Sequence, residues 1–262
     1  MAIGVLRDPG DTTAWATPSR THSSTSVAQK VAVVAGVVAI PSIVASMRIE
    51  IFSDVICPWC FIGKRRFETA ISRLRDRGVD VQVDYLFRPF QLDPTAPTDS
   101  PTPAKDAYAK KFGGSERATE ILDHVTSVAA QDNITFNMDI AVRANTFLAH
   151  RLLSYALKHS GAEAQIMLKE FIMDAYFTNG KNIGDSEVLA DCAESAGISR
   201  QDALAFLASD ELVDEVQAEI AEAAEYGVTA VPTFVIDGQW SVPGAQDVEM
   251  FERIIERILE RA

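Results

Sequence analysis

The chain has 262 residues, of which 47% are hydrophobic, and its 37 acidic and 24 basic side chains leave a formal net charge of −13. That composition supports a sizeable buried core and argues against nucleic acid or an anionic membrane as partner, because both repel an acidic protein. Three cysteines are too few for a disulfide scaffold, and with only four scattered histidines no zinc-type ligand set is complete.

Residues 1–30 are rich in Thr, Ser and Ala without apolar periodicity, the pattern of an unstructured leader. An apolar run from Val31 to Ser46 follows, shorter than the roughly 20 residues of a spanning helix and interrupted by Gly36 and Pro41. Lys30 before it and small residues after it fit the apolar segment of an export signal. Alternatively, translation starts at Met47, residues 1–46 are an artefact of start-site choice, and the protein is cytoplasmic.

Ile49, Ile51, Val55 and Ile56 then predict a buried strand, and Phe61, Ile62, Phe67, Ile71 and Leu74 recur at helical spacing until Gly78. Between them stands Cys57-Pro58-Trp59-Cys60, placed where a strand hands over to a helix N-terminus. Unpaired N–H groups and the positive end of the helix dipole stabilise an anion there, so Cys57 is expected as a thiolate. Pro58 suits the first helical position, where an N–H has no intrahelical partner. The two-residue spacer brings Cys60 within disulfide reach, making Cys57 the expected nucleophile and Cys60 the resolving thiol. Trp59 adds no charge and is a candidate apolar contact for a substrate. Lys64, Arg65 and Arg66 either promote the thiolate and attract acidic substrates or form a solvated face.

Val79 to Phe87 alternates as a second strand, broken by Arg88-Pro-Phe-Gln-Leu-Asp-Pro, and Pro94, Pro97, Pro101 and Pro103 mark a loop and a domain boundary. From about Pro103 to Tyr226 the pattern is helical. Ser115 opens one helix with Ile121, Leu122, Val125 and Val128 on its apolar face. Phe147, Leu148, Leu152 and Tyr155 stripe a second that Gly161 closes, and Met167, Phe171, Ile172 and Ala175 a third. Ser186–Ala196 and Ser199–Ala208 are short helices, and Leu212, Val216, Ile220 and Ala223 stripe the last before Gly227. His150 lies in the second of these helices, either lining a cleft or simply solvated; Cys192 reads as a small buried hydrophobe. Asp237-Gly238 then turns a hairpin, and an amphipathic helix runs from about Gln246.

Strand, helix and strand thus precede the helical stretch, and hairpin plus helix follow it. The predicted architecture is an α/β thioredoxin-like fold with a large all-helical insertion: residues 47–97 and 226–262 form the two thioredoxin-like parts and 98–225 the insertion. Ser53-Asp-Val-Ile-Cys-Pro-Trp-Cys-Phe-Ile-Gly-Lys, Phe87-Arg-Pro-Phe-Gln-Leu, Asn145-Thr-Phe-Leu-Ala-His-Arg, Gly227-Val-Thr-Ala-Val-Pro-Thr-Phe-Val-Ile-Asp-Gly and Val242-Pro-Gly-Ala-Gln stand in the order found in one family. Across Met47 to Ala262 the chain resembles the DsbA-like thioredoxin family, and within it the FrnE-type disulfide oxidoreductases. The resemblance implies catalysis by Cys57 and Cys60 on protein or small thiols and disulfides, with Pro58, Trp59, Val231 and Pro232 against the substrate and Val231-Pro232 as a cis-proline loop. Lys64 and His150 are further candidates near the site. No bound cofactor or metal is expected beyond the redox-active disulfide. A sister group of 2-hydroxychromene-2-carboxylate isomerases and kappa-class glutathione transferases shares the fold, with serine where Cys57 stands, which leaves glutathione a candidate co-substrate. Some FrnE-type proteins carry a second cysteine pair; here only Cys192 remains. A redox-silent binding module is the third class of function in view.

Overall fold

The computed structural model describes residues 4–5, 45–79, 81–98 and 102–261. Five strands make one mixed sheet. In chain order they are β1 (Gly4–Val5), β2 (Ala45–Ser53), β3 (Val81–Pro89), β6 (Thr233–Ile236) and β7 (Trp240–Pro243), and a separate two-residue ribbon pairs β4 (Thr102–Pro103) with β5 (Val142–Arg143). The helices are α1 (Pro58–Asp76), α2 (Ala104–Phe112), α3 (Ser115–Gln131), α4 (Phe147–Ser160), α5 (Ala162–Phe177), α6 (Ser186–Ser195), α7 (Arg200–Leu207), α8 (Val213–Glu225) and α9 (Val248–Leu259).

The sheet order is β1-β7-β6-β2-β3, with β2 and β3 parallel and the other pairs antiparallel. A parallel pair needs a crossover, which α1 supplies before Gly78, at φ +79°, turns the chain into β3. Alternation along β2 divides the core: Met47, Ile49 and Ile51 pack with Phe67, Ile71 and Leu74 of α1 and Phe251, Ile254 and Ile255 of α9, while Phe52 points to the other face, against Val235 and Ala223. The helical stretch α2–α8 has its own core, and Val55, Cys57, Cys60, Phe61 and Ile62 belong to it rather than to the sheet. The first turn of α1 is therefore held by the helices and the rest of α1 by the sheet.

Several elements differ from the sequence expectation. β3 begins two residues later than predicted and continues through Pro89, which an edge strand tolerates because its missing N–H faces no neighbour. The β4–β5 ribbon lies in stretches expected to be loop and helix. Gly4–Val5, inside the predicted leader, pair with Ser241 and Trp240 of β7. The rest of the apolar run up to Val44 lies outside the described residues. Among the described residues no helix is long and apolar enough to cross a membrane.

The buried face of α5 is rotated from the expected stripe. Met167 and Phe171 are exposed, at 46% and 37%, whereas Gln165, Leu168, Lys169, Ile172, Met173 and Tyr176 point inward. Gln165 accounts for part of this. β3 ends the sheet, and at Phe87 the Gln165 amide takes the place of the missing strand: Oε1 accepts from Phe87 N at 2.8 Å and Nε2 donates to Phe87 O at 3.0 Å. One side chain thus satisfies two buried backbone groups and fastens the helical stretch to the sheet. Gln165→Leu orphans both groups and is expected to cost about 3 kcal/mol, from roughly 1–3 kcal/mol for each buried group left unpaired. Urea unfolding checks it; an unchanged midpoint would mean that water replaces the amide.

Candidate redox site

β2 delivers Asp54 to the edge of the sheet, and a turn closed by Cys57 N donating to Asp54 O at 3.3 Å leads into α1. Cys57 is the N-cap in extended conformation (φ −87°, ψ 114°) and Pro58 takes the first helical position, as expected. The Cys57 carbonyl accepts from Cys60 N at 3.0 Å and Phe61 N at 3.4 Å. Both cysteines are free thiols and buried. Trp59, between them, is exposed at 38%, its ring 6.4 Å from that of His124 on α3.

The Val231–Pro232 peptide bond is cis and its loop faces the pair: the Cys57 thiol donates to Val231 O at 3.7 Å. Thr233 Oγ1 to Ala230 O (2.7 Å) and Gly244 N to Pro232 O (2.7 Å) hold the loop from behind. Gly63, one turn beyond Cys60, lets α1 approach: a Cβ there would lie 3.0 Å from Pro232 Cγ and 3.3 Å from Ala245 Cβ. Gly63→Val adds two methyl groups to that contact and is expected to cost about 1–3 kcal/mol while displacing the Pro232 loop from Cys57. Thermal unfolding reads the first effect and alkylation of Cys57 the second; wild-type values in both would show that the loop gives way freely.

Beneath the turn lies a buried polar group that the sequence motifs quoted but did not interpret. Asp54, fully buried, places Oδ1 3.1 Å from His150 Nε2 and accepts from Leu92 N through Oδ2 at 2.8 Å. His150 is therefore neither solvated nor in an open cleft: it is 2% exposed and bonded to the carboxyl that supports the redox turn. Lys169 of α5 is the second such group, with no exposed surface, its Nζ 4.6 Å from the Phe87 ring centroid and without a hydrogen bond among the described residues.

These surroundings act on both thiols of the pair. The hydrogen bond to Cys60, then burial, push the Cys57 thiol well above its ordinary value, and the Asp54 charge adds to the effect. Burial also works to raise Cys60, but the neighbouring Cys57 thiol, the nearby Ser53 hydroxyl and the Lys169 charge outweigh it and lower the thiol.

Lys64, Arg65 and Arg66 take neither of their expected roles. Lys64 is 4% exposed and pairs with Glu170 at 2.6 Å and Glu68 at 2.9 Å; Arg65 also binds Glu170, and Arg66 binds Asp132 at 2.7 Å. The run ties α1 to α5 and to the end of α3, and its charge is spent on internal partners rather than on the cysteines or a substrate. Cys192 is buried away from the pair, donating to Phe171 O at 3.6 Å, and burial pushes its thiol up to about 11.

Beside the pair opens a groove of about 630 Å³. Ile56, the residue before Cys57, forms one end; Leu92, Tyr108, Phe112 and Tyr176 give it an apolar and aromatic lining, and Lys110 and Lys111 contribute cationic side chains. Burial, then the proximity of Cys57 and Asp54, raises the Tyr108 phenol above its usual range, so it stays a hydrogen-bond donor. Among the described residues no three His, Cys, Asp or Glu side chains cluster as a metal-ligand set.

Sequence comparison agrees with this geometry. Residues 48–256 match the DSBA-like thioredoxin domain. The uncharacterised protein YwbO of Bacillus subtilis (strain 168) is 30% identical over 215 residues, which cover 80% of this chain and 96% of that one. Among solved structures, the probable DsbA oxidoreductase SCO1869 from Streptomyces coelicolor is similar at 32% identity and a TM-score of 0.75, over 82% of this chain and 91% of that one. The cytosolic disulfide reductase DsbM from Pseudomonas aeruginosa, solved with GSH, shares the fold at 14% identity and a TM-score of 0.56, over 81% and 99% of the two chains. A thioredoxin-like sheet interrupted by helices, a buried cysteine pair at a helix N-terminus and a match spanning most of the sequence lead to one conclusion: the chain belongs to the DSBA-like thioredoxin domain family, whose members are generally oxidoreductases or isomerases.

Proposed function

We propose that the protein is a thiol–disulfide oxidoreductase that exchanges disulfides with protein or small-molecule thiols through Cys57 and Cys60. The observation that carries this reading is the placement of both free thiols at the α1 N-terminus, with Cys57 against the Val231 carbonyl of the cis-proline loop. Cys57 is the attacking sulfur because its thiol faces the Val231 carbonyl of the cis-proline loop, whereas Cys60 follows one turn later on α1. Cys57 attacks a substrate disulfide as its thiolate, its proton having passed to solvent. A bond forms between Cys57 Sγ and one substrate sulfur, and the other leaves as a thiolate. Cys60 then attacks Cys57 Sγ, its proton passing to the substrate sulfur that leaves, which releases the second substrate thiol and closes the Cys57–Cys60 disulfide.

Pro58, Trp59, Val231 and Pro232 frame the approach: Trp59 offers exposed apolar surface beside the pair, and the loop offers backbone. The FrnE-type branch is the subgroup this motif order supports. In a reducing cytoplasm, the compartment we favour, the pair rests as a dithiol and works as a reductase or isomerase.

A second reading draws on the groove. Its 630 Å³ suits a small ligand, and its aromatic lining suits a small aromatic substrate processed with glutathione as co-substrate. A peptide with two cysteines separates the two. Under the first reading the oxidised protein converts one equivalent of dithiol peptide to disulfide and is itself reduced, without glutathione. Peptide left untouched, together with glutathione-dependent turnover of an aromatic substrate, would establish the second.

A further inference from the structure

The lysines at the end of α2 differ from the other cations around the redox turn. Lys64, Arg65 and Arg66 are held by internal carboxylates, and Arg143 by Asp93 at 2.7 Å. Lys110 and Lys111 line the groove beside Cys57, both exposed, and among the described residues neither is in an ion pair. With Asp93 and Arg143 paired, the remaining charges lining the groove are these two lysines and Asp106, a local positive excess on a chain whose formal net charge is −13. Their surroundings are apolar. Leu92 and Phe112 are each 37% exposed, and Lys111 Nζ lies 5.9 Å from the Phe112 ring centroid. Large apolar side chains left open on one groove, next to cations without partners, mark a surface that an apolar and acidic ligand would cover.

The shape of the groove suits a stretch of chain. One end is Ile56, the residue before Cys57, and the lining takes in α2 from Ala104 to Phe112. Nine helical residues rise about 13 Å at roughly 1.5 Å each, the reach of about four extended residues at roughly 3.3 Å. The opposite wall is fixed to the redox turn, because Leu92 N donates to Asp54 Oδ2 at 2.8 Å and the next residue, Asp93, is the partner of Arg143. A substrate joined to Cys57 through sulfur therefore has its neighbouring residues at the mouth of a preformed groove.

We propose that this groove is the subsite for the stretch of a polypeptide substrate next to its reacting cysteine, and that Lys110 and Lys111 make it select stretches in which a large apolar side chain stands beside acidic ones. The apolar side chain covers Leu92 and Phe112, and the carboxylates meet the two ammonium groups. This rests on the oxidoreductase reading for the cysteine, though the binding it asserts can be read without exchange. The net charge of the chain works the other way, repelling an acidic peptide at long range. A preference for acidic substrates therefore has the sign of the groove and the opposite of the sign of the whole molecule.

The test uses full-length oxidised protein and two dithiol peptides of one sequence, each with an aromatic residue beside a cysteine, that differ only in whether two Glu or two Lys come next. The second-order rate constant for reduction of the protein should be at least about fivefold higher with the Glu peptide, and the ratio should shrink as salt is added. Lys110→Gln combined with Lys111→Gln should bring that ratio to one or below, where the net charge alone puts it. Lys105→Gln removes a charge of the same sign from the same helix but outside the groove lining, and should leave the ratio as it was. Phe112→Ala should reduce the advantage of the aromatic peptide over one with glycine at that position. Fluorescent copies of both peptides with serine for cysteine read binding without exchange. A Lys peptide that reacts as fast as the Glu peptide, a preference that the double variant retains, or one that Lys105→Gln abolishes overturns the proposal. If dithiothreitol reduces the protein while the peptides show no preference, the oxidoreductase reading stands and the subsite falls. If no thiol reduces the pair, the serine peptides decide: binding that favours Glu and depends on Lys110 and Lys111 keeps the subsite while that reading falls, and binding without preference removes both.

Discussion

Cys57→Ser is expected to abolish disulfide turnover, by at least about a thousandfold, because it removes the sulfur that bonds to substrate. Cys60→Ser is expected to stop the cycle one step later. Cys57 still attacks, but nothing resolves the adduct, so the protein accumulates as a mixed disulfide visible by intact mass. The asymmetry follows from the structure: Cys57 faces the cis-proline loop through its bond to Val231 O, whereas Cys60 follows one turn later on α1. Adduct formation in Cys60→Ser should accelerate as pH rises, because attack requires the Cys57 thiolate. Equal residual turnover in the two variants, or an adduct on Cys60 in the Cys57→Ser protein, would refute the roles assigned.

The second large effect concerns stability. Asp54→Ala is expected to destabilise the protein by about 3–5 kcal/mol, the usual consequence of removing one partner from a fully buried pair. The carboxyl has no exposed surface and its two oxygens serve His150 and Leu92 N; alanine leaves the imidazole and an amide without partners and opens a gap under the redox turn. For a domain of this size the melting temperature should fall by roughly 10 °C. Asp54→Asn keeps an oxygen for one of the two contacts and should lose less. Because the Asp54 charge helps to keep Cys57 protonated, the Asn variant should also carry a more acidic Cys57, read as faster alkylation at neutral pH. A melting temperature unchanged in Asp54→Ala would mean that the pair contributes nothing measurable.

What could be read from the chain beforehand was local. Cys57 and Cys60 are one helical turn apart, Pro58 and Gly78 mark the ends of α1, and Asp237-Gly238 marks the hairpin, with φ of 50° and 67°. Period-2 and period-3.6 patterns placed the long elements. The cis loop at Val231-Pro232 entered through family resemblance, since Pro232 by itself carries no signal of a cis bond. What escaped depends on contacts between distant segments. Gln165 and Lys169 stand in α5 with other polar residues, Glu163, Glu170 and Asp174, and the expected stripe ran through Met167 and Phe171 instead. The fold buries Gln165 and Lys169 and exposes Met167 and Phe171, because Gln165 completes the edge of β3 and Lys169 reaches the Phe87 ring. Lys64 looked like part of a solvated run because its partners, Glu68 and Glu170, include one 106 positions away. The helix-end reasoning that put the thiolate on Cys57 took account of the backbone alone. The contact between the two cysteines and their burial act on both thiols as well, with smaller effects from Ser53 and Lys169 on Cys60 and from Asp54 on Cys57.

The most direct test of the whole account is equilibration of the protein in glutathione buffers of graded potential, followed by intact mass and by the fluorescence of Trp59, which sits between the two cysteines. A single two-electron transition between roughly −120 and −270 mV, in which Cys57 and Cys60 together gain or lose two hydrogens, is the result predicted. Thiols that stay reduced across that range would contradict a redox function for the pair.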